Sequence, residues 1–187
     1  VENVYQNSHT AKPLLFKMIG YEIYTDEVRR MHESTARVKI MSAPARTSKS
    51  YSAAADVLWD CFPDFWRTEN GTIYPMPLPN SQHTRLIWIV APDYKLAKEF
   101  DYLYSWLVDN RGKYGFGYQL EKAQNSPDQG AMKIIILWGK DWTGSQIRTV
   151  IEGKSSTNEK SLQAEEVYRV ILSEAADQDE RVWAKYL

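Results

Sequence analysis

An unbroken apolar run at residues 85–92 (RLIWIVAP) constrains the fold more than any other part of this sequence. A strand with one face in water alternates apolar and polar residues, whereas a strand buried on both faces is apolar throughout, as in a parallel sheet covered by helices. Pro92 ends the run because it has no N–H for the ladder. Residues 94–109 then show helical spacing, with a predicted core stripe of Leu96, Phe100, Leu103 and Leu107. The sequence therefore predicts an α/β domain.

The same order of strand, loop and helix is predicted for residues 38–62 (VKIMSAPARTSKSYSAAADVLWDCF). The strand covers residues 38–43, and the helix has an apolar face of Ala54, Val57, Leu58, Cys61 and Phe62. In this order the backbone N–H groups of the loop and the helix N-terminus face an anion, a Lys supplies charge, and the next hydroxyl ligates Mg²⁺. The candidate ATP-binding residues are Ala45, Arg46, Thr47, Ser48, Lys49 and Ser50, with Ser50 also a candidate Mg²⁺ ligand.

The loop obeys only half of the usual pattern G-x-x-x-x-G-K-[ST]. Ala43 stands at the first glycine position and Ser48 at the second. Glycine tolerates positive φ and lets the backbone approach phosphate oxygens, so Ala and Ser predict a stiffer or differently shaped loop. An alternative interpretation is a plain strand-to-helix turn in which Ser48 caps the helix and Lys49 is solvated. Taken alone, this stretch is compatible with both interpretations.

Residues 168–176 (YRVILSEAA) supply the second half of such a site. Residues 170–172 have the character of a buried strand, which ends at Ser173 and Glu174. In P-loop enzymes, an acidic residue at the end of such a strand holds the Mg²⁺ shell, and a following Glu orients and deprotonates the attacking water. Glu174 is therefore the candidate catalytic residue. Ser173, at the metal position, can reach Mg²⁺ through a bound water but contributes no negative charge.

The middle of the chain departs from alternating strands and helices. An antiparallel insertion at one sheet edge is predicted from three strand-like runs separated by turn clusters, at residues 118–124, 131–138 and 146–152. Trp138 and Trp142 are interpreted as core and edge cover rather than a stacking platform. A second G-K-S, at residues 153–155, has no small-residue loop before its Lys and is interpreted as a turn leaving the strand.

The N-terminal part is predicted to be flexible over residues 1–12 and helical over residues 25–34, with Thr25 as the N-cap. His32 on this helix is interpreted as a packed surface histidine rather than a ligand or base. Cys61, the single cysteine, excludes an internal disulfide, and no apolar run is long enough to span a membrane. These features are typical of an intracellular protein.

Composition limits how the chain contacts nucleic acid. The 187 residues are 43% hydrophobic and 25% charged, which suits one globular domain. The formal net charge is −1, so no basic footprint extends over the sequence. A nucleic acid would then be held by a local patch, by several copies in a ring, or by another domain.

Together these motifs resemble the N-terminal ATPase part of a bacteriophage terminase large subunit, the motor that packages double-stranded DNA. The resemblance covers residues 16–187. It lies in the degenerate phosphate loop and in four further motifs: H-x-S at residues 32–34, A-P-x-Y at residues 91–94, a polar loop with Leu162, and V-I-L-[D]-E-A-A at residues 170–176, before Trp183.

The resemblance implies a P-loop NTPase-like α/β domain: a mainly parallel sheet flanked by helices, with an antiparallel edge hairpin region. It implies ATP and Mg²⁺ as cofactors, and double-stranded DNA, a portal protein, a small terminase subunit and further copies in a ring as partners. The expected location is the host cytoplasm and, transiently, the procapsid portal. The nuclease domain that such proteins carry downstream is expected to be absent from this chain.

Three departures from the family pattern bear on activity. Ala45 stands where terminases usually carry an Arg, Gln163 stands where the polar loop often has one, and Ser173 replaces the metal-site Asp. The sequence therefore supports nucleotide binding more strongly than hydrolysis. A docking or assembly module that has lost turnover, and a helicase-like translocase, are the alternative functions. The P-loop interpretation further predicts that residues 38–43, 86–91 and 168–172 lie side by side as central strands.

Overall fold

A five-stranded mixed sheet forms the centre of the computed structural model, which describes residues 8–36, 38–42, 48–70, 72–75, 83–157, 162, 166–174 and 177. The strands are β1 Phe65–Arg67, β2 Ile73–Pro75, β3 Thr84–Ala91, β4 Gln119–Ser126, β5 Ala131–Lys140, β6 Gln146–Ser155 and β7 Arg169–Leu172. The order in the main sheet is β4-β5-β6-β3-β7, and β1 and β2 form a separate antiparallel hairpin.

Strand β3 pairs in parallel with both β6 and β7, whereas β4, β5 and β6 pair antiparallel. Ile87 and Ile89 pack into the larger core on one face of β3, and Trp88 and Val90 pack into a smaller core on the other face. Residues 86–91 are therefore apolar because both faces of the strand are covered. The predicted α/β fold with an antiparallel region at one edge is confirmed.

Five α-helices accompany the sheet in the described part of the chain: α1 Ser8–Ile19, α2 Asp26–Glu33, α3 Lys49–Cys61, α4 Lys98–Tyr104 and α5 Arg111–Tyr114. Helix α3 buries its predicted apolar face against the larger core. Helix α2 begins after Thr25, whose hydroxyl accepts a hydrogen bond from the Val28 N–H, so the predicted cap is confirmed. Residues 8–12, within the stretch predicted to be flexible, belong to α1.

The helix predicted over residues 94–109 is divided into three segments. A 3₁₀ turn, Tyr94–Leu96, is fixed by Asp93, whose carboxylate accepts from the Lys95 N–H at 2.9 Å. Helix α4 follows, and a π-helical turn, Ser105–Asp109, closes with the Asn110 N–H bonded to the Ser105 carbonyl. The early turn leaves Leu96 40% exposed, whereas Phe100, Leu103 and Leu107 are buried as predicted.

The prediction of three adjacent central strands is wrong in two respects. Residues 38–42 form no strand in the structure, and Ile40 is 77% exposed. Strand β7 pairs only with β3 among the described residues, and its four residues are all half-buried. An apolar run becomes a strand only where a neighbour completes its hydrogen-bond ladder, and residues 38–42 have no such neighbour in the described sheet.

The second G-K-S lies inside β6 and not in a turn. Lys154 contacts Glu152 and lies over the ring of Trp88, and the Ser155 hydroxyl donates to the Pro92 carbonyl. A Cβ added at Gly153 would lie 2.8 Å from the Cβ of Met132. Glycine is therefore required there by strand packing and not by an approaching phosphate.

We expect Gly153→Ala to lower the free energy of unfolding by about 1–3 kcal/mol, because the added methyl pushes Met132 and the β5 backbone away from β6. The measurement is a urea denaturation curve. Gly112→Ala is the control, since Gly112 lies in α5 and a Cβ there meets nothing within 4 Å. Equal midpoints for wild type and Gly153→Ala would contradict the packing explanation.

No helix in the described ranges is both long enough and apolar enough to cross a membrane.

Candidate functional site

Helix α3 runs antiparallel to β3, so it begins near the edge of the sheet where the parallel strands end. Its last turn is held at the start of β3, because the Arg85 guanidinium donates to the carbonyls of Asp60 and Phe62. The Thr149 hydroxyl, in the β6 residue paired with Arg85, donates to the Cys61 carbonyl at 2.7 Å. The first turn of α3 therefore points towards the carboxyl ends of β3 and β7, where open α/β sheets bind ligands.

The first turn of α3 and the end of the predicted acidic strand lie at the same level. Arg169, at the start of β7, contacts Asp56 of α3 at 2.8 Å. From that contact, Lys49 lies about two helical turns, or about 10 Å, towards the N-terminus of α3. Ser173 lies about 13 Å further along β7 in the same direction. The geometry thus brings Lys49 and Ser50 to the edge at which Ser173 and Glu174 leave the sheet.

Ser48 and Glu174 share an unusual backbone conformation. They are the only non-glycine residues with positive φ in the described ranges, at 61° and 48°. L-residues rarely adopt this conformation, and strained backbone of this kind is concentrated at functional sites. Ser48 stands at the second glycine position of the pattern and adopts a conformation that glycine tolerates without strain. It is the N-cap residue of α3, as the alternative interpretation predicts, but its side chain makes no capping hydrogen bond.

We expect Ser48→Gly to stabilise the protein by up to about 1 kcal/mol, because glycine adopts positive φ without the clash of a Cβ. Thermal unfolding of the two proteins measures the change. Ser50→Gly is the comparison, since Ser50 lies in the regular first turn of α3, where glycine costs about 0.5–1 kcal/mol. Destabilisation by both substitutions would show that Ser48 is not strained.

Ser173 and Glu174 differ in exposure and in the polar group that each provides for a Mg²⁺ site. Ser173 is buried; its N–H donates to the Val90 carbonyl and its hydroxyl donates to the Leu96 carbonyl at 3.2 Å. The oxygen of that hydroxyl keeps lone pairs that can accept from a metal-bound water. Glu174 is exposed beyond the end of the strand. This donor set fits a Mg²⁺ ion held largely by phosphate and water, because the protein supplies hydroxyls and one nearby carboxylate.

Some sequence-predicted residues are not brought into this geometry. Ala45, Arg46 and Thr47 of the loop, and Gln163 of the polar loop, lie outside the described residues. Arg148, in the run of residues 146–152, is a candidate to replace the missing arginine, and it pairs with Thr84 at the far end of β3. It lies about 23 Å along β6 from the carboxyl edge. Arg148 therefore cannot reach a phosphate at Lys49 of the same chain.

The sequence analysis missed the most connected polar residue, Asp56. Its carboxylate lies on the buried face of α3 and contacts four side chains: Lys12 at 2.5 Å, His32 at 3.1 Å, Lys39 at 3.1 Å and Arg169 at 2.8 Å. His32 is thus a buried partner of Asp56 and not a surface histidine. The available signal was an Asp among alanines and Val57 on an otherwise apolar helix face, because an ionised group there requires partners.

The environment moves the pKa values of Asp56 and Asp60 in opposite directions. Burial by itself raises the pKa of Asp56, but the hydrogen bond from His32 and the charges of Lys12 and Lys39 outweigh it and lower that pKa well below its usual range. Asp60 is one helical turn further on, and burial raises its pKa despite Arg169 at 3.5 Å. Asp56 is therefore the ionised centre of this group.

A cavity of about 610 Å³ lies beside these residues and not at the predicted phosphate loop. Its polar lining includes Lys12, His32, Lys39, Asp56, Asp60 and Arg169. Because Asp56 lies about two turns below Lys49 on α3, the cavity faces the middle and the C-terminal half of the helix. It is a separate feature from the strand ends that carry Ser173 and Glu174.

No protein-family model matches the sequence, and no curated protein is similar to it. The structure matches the large terminase ATPase domain of Thermus phage P74-26, with a TM-score of 0.66 and 18% identity over 91% of this chain and 61% of that one. An arginine-to-alanine mutant of the same domain gives a TM-score of 0.62 and 17% identity over the same shares. The chain therefore has the fold of a terminase ATPase domain, as the sequence motifs implied, and spans about three fifths of its length.

Proposed function

We propose that this chain is the ATPase motor domain of a terminase large subunit, which couples ATP binding and hydrolysis to the packaging of double-stranded DNA into a viral capsid. The observation that carries the proposal is the strained backbone at Ser48 and Glu174. These residues were assigned to opposite halves of the site from sequence, and both lie at the carboxyl edge of the sheet. The fold shared with a terminase ATPase domain supports the same function.

The residues of this edge supply the groups that phosphoryl transfer requires. Ser48 has the left-handed conformation next to the first turn of α3, and a residue of that conformation beside a right-handed one is the arrangement in which backbone N–H groups bind anions. Lys49 would contact the β- and γ-phosphates of ATP, and Ser50 and Ser173 would hold Mg²⁺, Ser173 through water. Bound Mg²⁺ neutralises developing charge on the phosphates. Glu174 would orient the attacking water and accept its proton.

The proposed partners follow from the proposed motor. With a net charge of −1, one copy has no general attraction for DNA. We therefore propose that several copies form a ring that holds double-stranded DNA. The ring would dock on a portal protein, and a small terminase subunit would supply it with DNA.

A docking or assembly module with the same fold is the second candidate function. The buried, neutral Ser173 at the metal position favours it, because a hydroxyl holds Mg²⁺ less strongly than a carboxylate does. The two functions differ in turnover and not in nucleotide binding. A module of this kind would bind ATP without hydrolysing it.

We expect Lys49→Ala to weaken binding of Mg²⁺–ATP by about 10- to 100-fold, because it removes charged hydrogen bonds to phosphate worth about 1.5–3 kcal/mol. Isothermal titration calorimetry on the whole chain measures both affinities. Lys98→Ala is the matched control, since Lys98 is the exposed first residue of α4 as Lys49 is the first of α3. Equal affinities for wild type and Lys49→Ala would remove Lys49 from the site.

A further inference from the structure

The carboxylate of Asp56 divides its contacts between two parts of the molecule. Its side chain is only 4% exposed. Oδ1 accepts hydrogen bonds from Lys12 and His32, which belong to α1 and α2. Oδ2 accepts hydrogen bonds from Lys39 and Arg169. One oxygen therefore faces the N-terminal helices and the other faces the segments that lead to the candidate site.

The two partners of Oδ2 belong to opposite halves of that site. Lys39 lies in the segment that leads into the phosphate loop, and Arg169 opens β7, which ends at Ser173 and Glu174. Lys39 and Arg169 come from segments 130 positions apart in sequence and meet at a single oxygen. Asp56 itself lies on α3, whose first turn carries Lys49. The segment before the loop, the helix and the acidic strand are thus joined through the carboxylate of Asp56.

This junction matters because the described sheet does not provide it. Residues 38–42 are not hydrogen-bonded to β7 as a neighbouring strand. A parallel ladder would otherwise fix the position of one segment relative to the other at every second residue. The described residues instead link the two segments through side chains, by way of Asp56.

We propose that Asp56 is a positioning residue for the nucleotide site, whose Oδ2 fixes residues 38–42, which lead into the phosphate loop, and β7 relative to each other. The inference rests on the proposed function, because the distance between Lys49 and Glu174 matters only if both residues act on the same nucleotide. General acid–base catalysis requires Glu174 to lie within hydrogen-bond reach of the attacking water. A shift of about 1 Å between the two halves is enough to lose much of that contribution.

A purely structural role for Asp56 makes a different prediction, and Lys12 provides the comparison. Lys12 and Lys39 are equally buried, with side chains 16% and 15% exposed, and both bind the same carboxylate. Lys12 is on α1, which does not lead to the candidate site. If the group only stabilises the fold, Lys12→Met and Lys39→Met should have the same consequences.

The experiment compares Lys12→Met, Lys39→Met and Arg169→Met by hydrogen exchange and by titration with Mg²⁺–ATP. We expect Lys39→Met to raise exchange in residues 169–174 as well as around residue 39, and Arg169→Met to raise exchange in residues 49–52 as well as in β7. Lys12→Met should raise exchange in α1 and leave both site segments unchanged. Arg169→Lys keeps the charge at Oδ2 and should restore exchange at residues 49–52 to the wild-type rate.

The nucleotide readout follows the same pattern. Lys39→Met and Arg169→Met should each weaken Mg²⁺–ATP binding by about five- to tenfold. The double variant should bind Mg²⁺–ATP as tightly as the single variant of lower affinity, because both side chains act through one oxygen. Lys12→Met should bind within about twofold of wild type. Exchange that rises only in the substituted element, or additive losses of affinity, would overturn the positioning role. If wild type binds no nucleotide while the exchange pattern persists, the proposed function fails, and only the structural link between the two segments through Asp56 stands.

Discussion

Glu174→Gln is expected to lower ATP turnover by about 10²–10⁴-fold, the usual contribution of a positioned general base. The amide has the shape of the carboxylate but cannot accept the proton of the attacking water. Glu174 is exposed beyond β7, so the substitution removes no packing, and Mg²⁺–ATP affinity should stay within about twofold of wild type. Release of labelled phosphate under single-turnover conditions measures the rate.

Asp177→Asn is the matched control for this prediction. Asp177 is an exposed residue with the same carboxylate group, and its backbone N–H donates to the Glu174 carbonyl. It should hydrolyse ATP at the wild-type rate.

The wild-type rate is itself expected to be very low, since Ser173 supplies no charge to the metal. Ser173→Asp should retain Mg²⁺ more strongly, and raises turnover only if an arginine is also supplied. Rapid DNA-stimulated hydrolysis by the wild-type chain would show that Ser173 is sufficient, and equal rates for wild type and Glu174→Gln would exclude Glu174 as the base.

Asp56→Asn is expected to lower the free energy of unfolding by about 3–5 kcal/mol, the usual cost of removing one partner from a buried ion pair. Lys12 and Lys39 would then be left with little access to water and without the carboxylate they bind, and Arg169 would keep only Asp60, at 3.5 Å. A loss of this size is a large fraction of the 5–15 kcal/mol that typically stabilises a domain. Urea denaturation at pH 7 measures it.

Asp60→Asn is the control for Asp56→Asn. Burial raises the pKa of Asp60, so its charged form is already disfavoured in the folded protein, and a neutral amide should cost little or stabilise. The two carboxylates are one helical turn apart on α3. Similar losses from both substitutions would show that burial of polar groups, and not the charge of Asp56, stabilises this region.

The pH dependence of stability has a definite sign at Asp56. Its pKa is lowered in the folded state, so its contribution is complete above the unfolded-state value of about 3.9 and is lost as pH falls towards the folded value. The unfolding free energy of wild type should therefore fall below about pH 5. Asp56→Asn should show a smaller fall over the same range, and parallel curves would contradict the assignment.

Local patterns predicted most of the elements. The unbroken run of residues 85–92 predicted the strand buried on both faces, and Thr25 predicted the start of α2, because strand burial and helix capping depend on residues close in sequence. The fold class followed from the order of these elements. The motifs at residues 48–50 and 173–174 identified the candidate site before any distance was known. Local order therefore predicted most of the elements of the main sheet, but it did not predict α1 or the hairpin of β1 and β2.

The tertiary structure decided which elements have partners and which polar groups meet. Residues 38–42 look like a buried strand in sequence, yet they form none in the described structure, because no neighbour there completes a ladder with them. The G-K-S at residues 153–155 was interpreted as a turn leaving the strand, yet it lies in β6, with Gly153 against Met132. Asp56 gives almost no local signal, since its partners lie 17, 24, 44 and 113 residues away. Periodicity and capping involve neighbours within a few residues, whereas these contacts form only when the folded chain brings distant segments together.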